Sequence, residues 1–341
     1  MSGTPRILFV ADAGEKIGGG HVMRCLTLAE AVIRAGAAAI FAATPSAVAV
    51  IGVFARAPIE VVSLADELSA AELAAAAAAA ARSAGASAVV ADHYGFGLKE
   101  DAALAAASPR LLIIDDLRRR HAAGIVLDPA IGRSARDYPG CELMAGPAFA
   151  LVRAEFAARR DWTLARRAGG GPAARVLVAL GLTDAGAITA RVVGALLPAL
   201  GDAVLDVVMG DVAPSRAEVE ALAAADGRVV AHIDARDMAR LTAEADVGVG
   251  AGGSSVWERC VLGLPSLTVV VADNQRENAE ALAAAGAALA IAPPSGDFDQ
   301  RLRAAFERLM GDAGLRAAMS HAAAGLCDGM GADRVAQRLL A

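Results

Sequence analysis

The chain has 341 residues, is 56% hydrophobic and carries a formal net charge of −6, a length that fits two α/β domains of about 100–200 residues better than one core. The acidic balance leaves no basic footprint, which argues against a nucleic-acid partner, and much of the hydrophobic fraction is alanine. No run approaches the roughly 20 apolar residues that span a bilayer, so membrane insertion is not expected.

The chain opens with Ile7 to Ala11, an apolar run too short for a signal-peptide core that leads straight into Asp12. It reads as a buried first strand of a cytoplasmic protein. Next comes the glycine-rich turn IGGGHVMRCLTLAE, Ile17 to Glu30, which opens a helix. Further strand patterns follow in AAAIFAA, IEVVSL, SAVVADHYG, RLLIIDD and AGIVLD, alternating with amphipathic segments. The alanine tract Leu73 to Ala81, flanked by Glu72 and Arg82, reads as a helix of high propensity. Such alternation predicts a parallel sheet covered by helices.

A polar, Arg- and Gly-rich stretch, Ala157 to Pro172, reads as a linker. The alternation then restarts with RVLVALG, AVLDVVMG, GRVVAHID, ADVGVGAGG, LPSLTVVVAD and AALAIAP. The expected organisation is an N-terminal Rossmann-like domain over 1–158, a linker over 159–172 and a C-terminal Rossmann-like domain over 173–341. The last helix is the candidate to pack back on the first domain. Open sheets of this kind bind ligands at the carboxyl ends of their strands.

Two glycine turns carry the candidate chemistry. In the first, Gly18, Gly19 and Gly20 precede His21 at a helix start, with Asp12 ending the strand before it. A helix N-terminus disfavours imidazolium and favours the neutral form that accepts a proton from water; the plainer role for His21 is a helix cap or a phosphate contact. In the second, Gly252, Gly253, Ser254 and Ser255 lead into a helix carrying Glu258. Backbone N–H groups and hydroxyls there suit a diphosphate, and a carboxylate one turn in suits ribose hydroxyls. Asn274 and Gln275 stand after a strand, where amides read sugar hydroxyls or simply cap a helix. Cys25, Cys141, Cys260 and Cys327 are scattered without a CxxC pair, and the five histidines are dispersed, so neither metal spacing nor a cofactor is expected.

Taken together, IGGGHVMRCLTLAE, ADHYG, IIDDL, GPAFALVRAEF, AGGSSVWERCVLGLP, ADNQ and CDGMGADRV resemble the nucleotide-sugar hydrolases of pseudaminic acid biosynthesis, relatives of the GT-B glycosyltransferases. The resemblance covers nearly the whole chain in order. It implies two Rossmann-like domains in GT-B arrangement with the active site in the interdomain cleft. It also implies hydrolysis of UDP-2,4-diacetamido-2,4,6-trideoxy-β-L-altropyranose to the free sugar and UDP, without a metal and with His21 as the base activating water. Carried over by position, it places the sugar among Asp12, Gly20, His21, Tyr94, Arg153, Asn274 and Gln275. It places UDP on Gly181 and Gly252 to Ser255, with Glu258 at the ribose. Arg153 reads equally as one half of a hinge salt bridge. For Asp115 and Asp116, strand-end capping is favoured over a metal site.

The chain departs from the family pattern at Val10, at Asp128 to Ala130, and in the loop Gly181, Leu182, Thr183, Asp184 to Ala187, where a second glycine is usual. If that position needs a positive φ, Leu182 is strained there. Two other readings stand beside hydrolysis: a GT-B glycosyltransferase using a UDP-sugar, and a non-catalytic nucleotide-sugar binding protein.

Overall fold

The computed structural model describes residues 3–14, 19–184 and 186–341. Ile17 and Gly18 of the first glycine turn lie outside the described residues. The chain divides into two compact units, one running to Val152 and including Met330–Ala341, the other Arg153–Gly329.

Unit 1 alternates β1 (Arg6–Ala11), α1 (Gly20–Arg34), β2 (Ala38–Ala43), α2 (Pro45–Phe54), β3 (Glu60–Ser63), α3 (Ala70–Ala84), β4 (Ala88–Asp92), α4 (Leu98–Ala105), β5 (Leu111–Ile114), β6 (Ile125–Asp128) and β7 (Glu142–Ala145). The strands form one parallel sheet in the order β3-β2-β1-β4-β5-β6-β7. Register sets Leu8 between Ile40 and Val89, and all three are buried. Strands covered on both faces need such unbroken apolar runs. Edge strand β7 was not read from the sequence, because ELMA is four residues with no alternation.

Helix α3 forms for reasons visible in its ends. Ser69 accepts from the Glu72 N–H and Glu72 accepts from the Ser69 N–H, a reciprocal cap, and Gly85 closes the other end at φ 61°. Ala74, Ala77, Ala78 and Ala81 pack in the core with Leu8, Val10 and Val89, where small side chains let helix and strands approach closely.

Unit 2 begins with α5 (Ala154–Ala157) and α6 (Arg160–Ala168) and continues through β8 (Arg175–Ala179), α7 (Thr189–Leu196), β9 (Val204–Met209), α8 (Arg216–Ala225), β10 (Val229–Ile233), α9 (Met238–Glu244), β11 (Val247–Ala251), α10 (Ser255–Val261), β12 (Ser266–Val269), α11 (Arg276–Ala284), β13 (Leu289–Ile291), α12 (Phe298–Gly311) and α13 (Ala313–Leu326). Its parallel sheet has the order β10-β9-β8-β11-β12-β13. The last helix, α14 (Gly331–Leu340), folds with unit 1, where Val335 and Leu339 join the core around Phe9 and Phe41.

The stretch expected as a linker is helical and fastened to unit 2. Arg160 donates to the carbonyls of Val261, Ala324 and Cys327, and Arg167 to those of Thr242, Ala245 and Leu262. These guanidiniums satisfy carbonyls that helix ends leave open. Composition alone made the segment look solvated.

Leu182 does not take the strained conformation that the missing glycine suggested. Positive φ falls instead on Gly181, Asp184, Gly186 and Ala187. Asp184 anchors the loop, accepting from the N–H groups of Ile188 and Thr189 and from the hydroxyls of Thr189 and Ser215.

Candidate functional site

In each unit the strand order reverses between two neighbouring strands, and that is where open α/β sheets hold ligands. In unit 1 the reversal lies between β1 and β4, and in unit 2 between β8 and β11.

At the unit 1 reversal, α1 begins with Gly20, and a Cβ added there would meet nothing within 4 Å. The next residue, His21, is 6% exposed. Its Nδ1 lies 2.6 Å from Oδ1 of Asp92, the fully buried last residue of β4. Arg24, one turn after His21, donates from Nε to Asp92, from Nη2 to the same carboxylate at 2.7 Å, and from Nη1 to Asp116 at 3.1 Å. Tyr94 donates its hydroxyl to Asp116 at 3.0 Å and sets its ring edge-on to His21, centroids 4.4 Å apart.

Burial would raise Asp92, but Arg24 and His21 outweigh it and hold its carboxyl well below the usual carboxylate range. An ionised Asp92 therefore accepts from Nδ1–H and leaves Nε2 of His21 as the proton acceptor. Burial and Asp116 together push the Tyr94 hydroxyl up, so it stays a protonated donor.

Asp12 follows β1 and faces Nε2 of His93 at 3.7 Å. His93 accepts the Gly95 N–H at Nδ1, and burial, its largest influence, lowers its pKa, leaving a neutral ring. Asp12, Gly20, His21 and Tyr94 are thus gathered at one sheet end. Sequence reading missed Asp92, Arg24 and His93, and took Asp116 as a strand-end cap rather than a partner of Arg24 and Tyr94. The i, i+3 spacing of His21 and Arg24 was the available signal, since it puts both on one helix face.

Asp115 and Asp116 part company. The Asp115 carboxylate turns inward to the N–H groups of Leu117 and Arg119, the Arg119 guanidinium and the Tyr138 hydroxyl. Asp116 instead serves Arg24 and Tyr94. Among the described residues no three His, Cys, Asp or Glu side chains are grouped to share a metal.

At the unit 2 reversal, the turn after β11 is shaped by side chains. Gln275 accepts the Gly252 N–H at 3.0 Å and the Val271 N–H at 3.3 Å through Oε1. A Cβ on Gly252 would fall 2.9 Å from that of Gln275, so the approach needs glycine. Two expectations change accordingly: the Gly252 N–H is spent within the protein, and the Gln275 carbonyl holds the turn instead of facing a sugar. Gly253, Ser254 and Ser255 remain as the candidate donors. Asn274 is exposed in the short turn Asp273–Gln275.

Glu258 accepts from Arg153 Nε at 3.1 Å and Nη2 at 2.9 Å, both on Oε1. Both residues belong to unit 2. Arg153 is therefore the salt-bridge partner of the ribose candidate rather than a separate sugar contact, and Oε2 is the oxygen left for a ligand.

Residues 212–338 match the model of the glycosyltransferase family 28 C-terminal domain. The spore coat polysaccharide biosynthesis protein SpsG of Bacillus subtilis is 30% identical over 193 residues, 56% of this chain and 56% of that protein. The UDP-N-acetylglucosamine--N-acetylmuramyl-(pentapeptide) pyrophosphoryl-undecaprenol N-acetylglucosamine transferase of Xanthomonas campestris pv. campestris is 37% identical over 178 residues, 50% of this chain and 41% of that enzyme. The chain thus spans about half the length of the curated relatives it matches. Among solved structures, MurG of Acinetobacter baumannii is similar at TM-score 0.69 and 18% identity, over 98% of this chain and 99% of that one. The spinosyn rhamnosyltransferase SpnG, complexed with thymidine diphosphate, is similar at TM-score 0.64 and 15% identity, over 98% and 100%. At these identities the likeness shows the fold, two Rossmann-like halves of the GT-B class.

Hydrolysis, expected from the family resemblance, is corrected by these findings. The matched model is that of a glycosyltransferase domain and the Xanthomonas relative is a named transferase. Neither supports a hydrolase or the altropyranose substrate. The reason is chemical: motifs that would hold a nucleotide sugar beside a base do not specify whether water or a sugar hydroxyl attacks.

Proposed function

We propose that the chain is a glycosyltransferase that moves a sugar from a nucleoside diphosphate to an acceptor hydroxyl. The observation that carries transfer is the match of residues 212–338 to a glycosyltransferase domain, and the His21–Asp92 pair at the switch point of unit 1, a histidine oriented by a buried carboxylate, supplies the base. Nε2 of His21 takes the acceptor proton, the acceptor oxygen bonds to the anomeric carbon, and the bond from that carbon to the diphosphate oxygen breaks. Donors at Gly253, Ser254 and Ser255 stabilise the charge that develops on the leaving diphosphate, while Glu258, steadied by Arg153, binds the ribose. The 212–338 match supports the nucleotide role of unit 2. Uridine is the favoured base because the Xanthomonas relative is named for a UDP-sugar.

The test uses UDP-N-acetylglucosamine labelled in the sugar, with a lipid-linked glycan fraction as acceptor. Label should enter the acceptor fraction, and His21→Asn should lower that rate by roughly 10²–10⁴-fold with UDP binding unchanged. Free sugar released at the same rate without acceptor would sink the transfer reading, and no turnover in any arm would favour a binding protein.

A further inference from the structure

Arg259, on α10, is 7% exposed. Its side chain runs back along the helix, as helical side chains do, and lies beneath the turn after β11. Nη2 donates to the Ala251 carbonyl at 2.9 Å and Nη1 to Ser255 Oγ at 3.3 Å, with Thr268 Oγ1 at 3.5 Å from Nη2. All of these partners are neutral. Glu258, beside it in sequence, is turned to Arg153.

Two other arginines of unit 2, Arg167 and Arg316, also donate to neutral groups, but their setting differs. Arg167 and Arg316 meet carbonyls at helix C-terminal ends, Thr242 and Ala245 for one and Leu309 and Met310 for the other, where the helix dipole is negative. Arg259 sits in the last turn of α10, but its guanidinium reaches back to Ser255 and Ala251 at the N-terminal end, where the dipole is positive and adds to the cost of burying its charge. Space is nevertheless kept for it: a Cβ on Gly250 would fall 2.4 Å from Nη1. Burial lowers the guanidinium to about 10, which leaves it charged at neutral pH.

We propose that Arg259 is a positioning residue for the diphosphate of the nucleotide sugar, acting from beneath the turn through the Ser255 hydroxyl. This rests on the reading of that turn as the nucleotide site. By donating to Ser255 Oγ, Arg259 occupies a lone pair and directs the hydroxyl proton away from itself, toward an anion on the turn. The same anion supplies a negative charge that none of the hydrogen-bond partners of the guanidinium carries.

The experiment measures binding of UDP by calorimetry and of uridine by ligand-observed NMR. In Arg259→Met, UDP should bind at least tenfold more weakly while uridine stays within twofold; Arg259→Lys should recover part of the loss, and Ser255→Ala should weaken UDP severalfold. Should Arg259→Met fail to fold, the lysine and Ser255→Ala variants carry the same comparison. UDP affinity unchanged, or UDP and uridine weakened alike, would overturn the proposal while leaving the nucleotide site standing. An unmodified protein that binds neither ligand would overturn the nucleotide reading and the role of Arg259 with it.

Discussion

Arg153 grips Glu258 by Oε1 alone, so the two residues should contribute unequally to nucleotide binding. Glu258→Ala should weaken UDP by on the order of 1.5–3 kcal/mol, the range for hydrogen bonds to a charged group. Arg153→Met, which only loosens the carboxylate, should cost less and narrow the preference for UDP over 2′-deoxy-UDP. Equal binding of those two ligands by the unmodified protein would return Glu258 to a purely structural role. Asp92→Asn tests the other unit: the amide no longer holds Nδ1–H in the same way, so turnover should fall while UDP binding persists. His21 was legible because three glycines and a helix start surround it. Asp92 was not, since one aspartate at a strand end looks alike whether it caps, pairs or catalyses, and only the fold brings it 71 positions back to His21.

Beneath β5 and β6, elements of unit 1 are joined by a buried polar chain. His121 sits with Nδ1 2.9 Å from Asp101 and Nε2 3.5 Å from Asp115, and the Tyr138 hydroxyl stands 2.9 Å from Asp115 and 2.8 Å from Asp128. A phenol has one proton to give. Burial, its largest influence, raises Asp128, which also accepts from the Ala130 N–H and the Arg133 guanidinium. Burial would lower His121, but the two aspartates win and lift it to about 9 from 6.5. A raised histidine stabilises the fold fully below the unfolded value and loses that contribution as pH rises through the folded one. Stability of unit 1 should therefore decline between about pH 6.5 and 9, by on the order of a few kcal/mol. Urea melts across that window check it, and His121→Gln, though less stable throughout, should show a flatter profile; an equal slope would place the titration elsewhere. Strands were readable at this scale because β1, β4 and β8 are runs of apolar residues. The roles of the arginines of α6 were not, because a guanidinium that caps carbonyls and one that faces water have the same composition.

Across the whole molecule, the chain leaves unit 1 at Val152 and returns to it at Met330. Helix α14 buries Val335 and Leu339 against the first core and ties its surface through Arg34–Asp333 and Arg338–Glu142. The two apolar side chains are worth roughly 1.5–3 kcal/mol each, and the exposed ion pairs little. A chain stopping after Gly329 should thus lower the unfolding midpoint of unit 1 and spare unit 2, which a two-transition melt resolves; a loss confined to unit 2 would contradict this division. A fragment spanning 153–329 should fold and bind UDP alone, because it is continuous and encloses its own core.

That return of α14 also sets an order of events on the ribosome. The second unit's residues are all made before the helix that completes the first, so the first sheet must wait, with the surface meant for Val335 and Leu339 still open, while Arg153–Gly329, more than half of the whole chain, is translated. The later unit in sequence is the one able to finish first, and the earlier one is the natural client for a chaperone during synthesis.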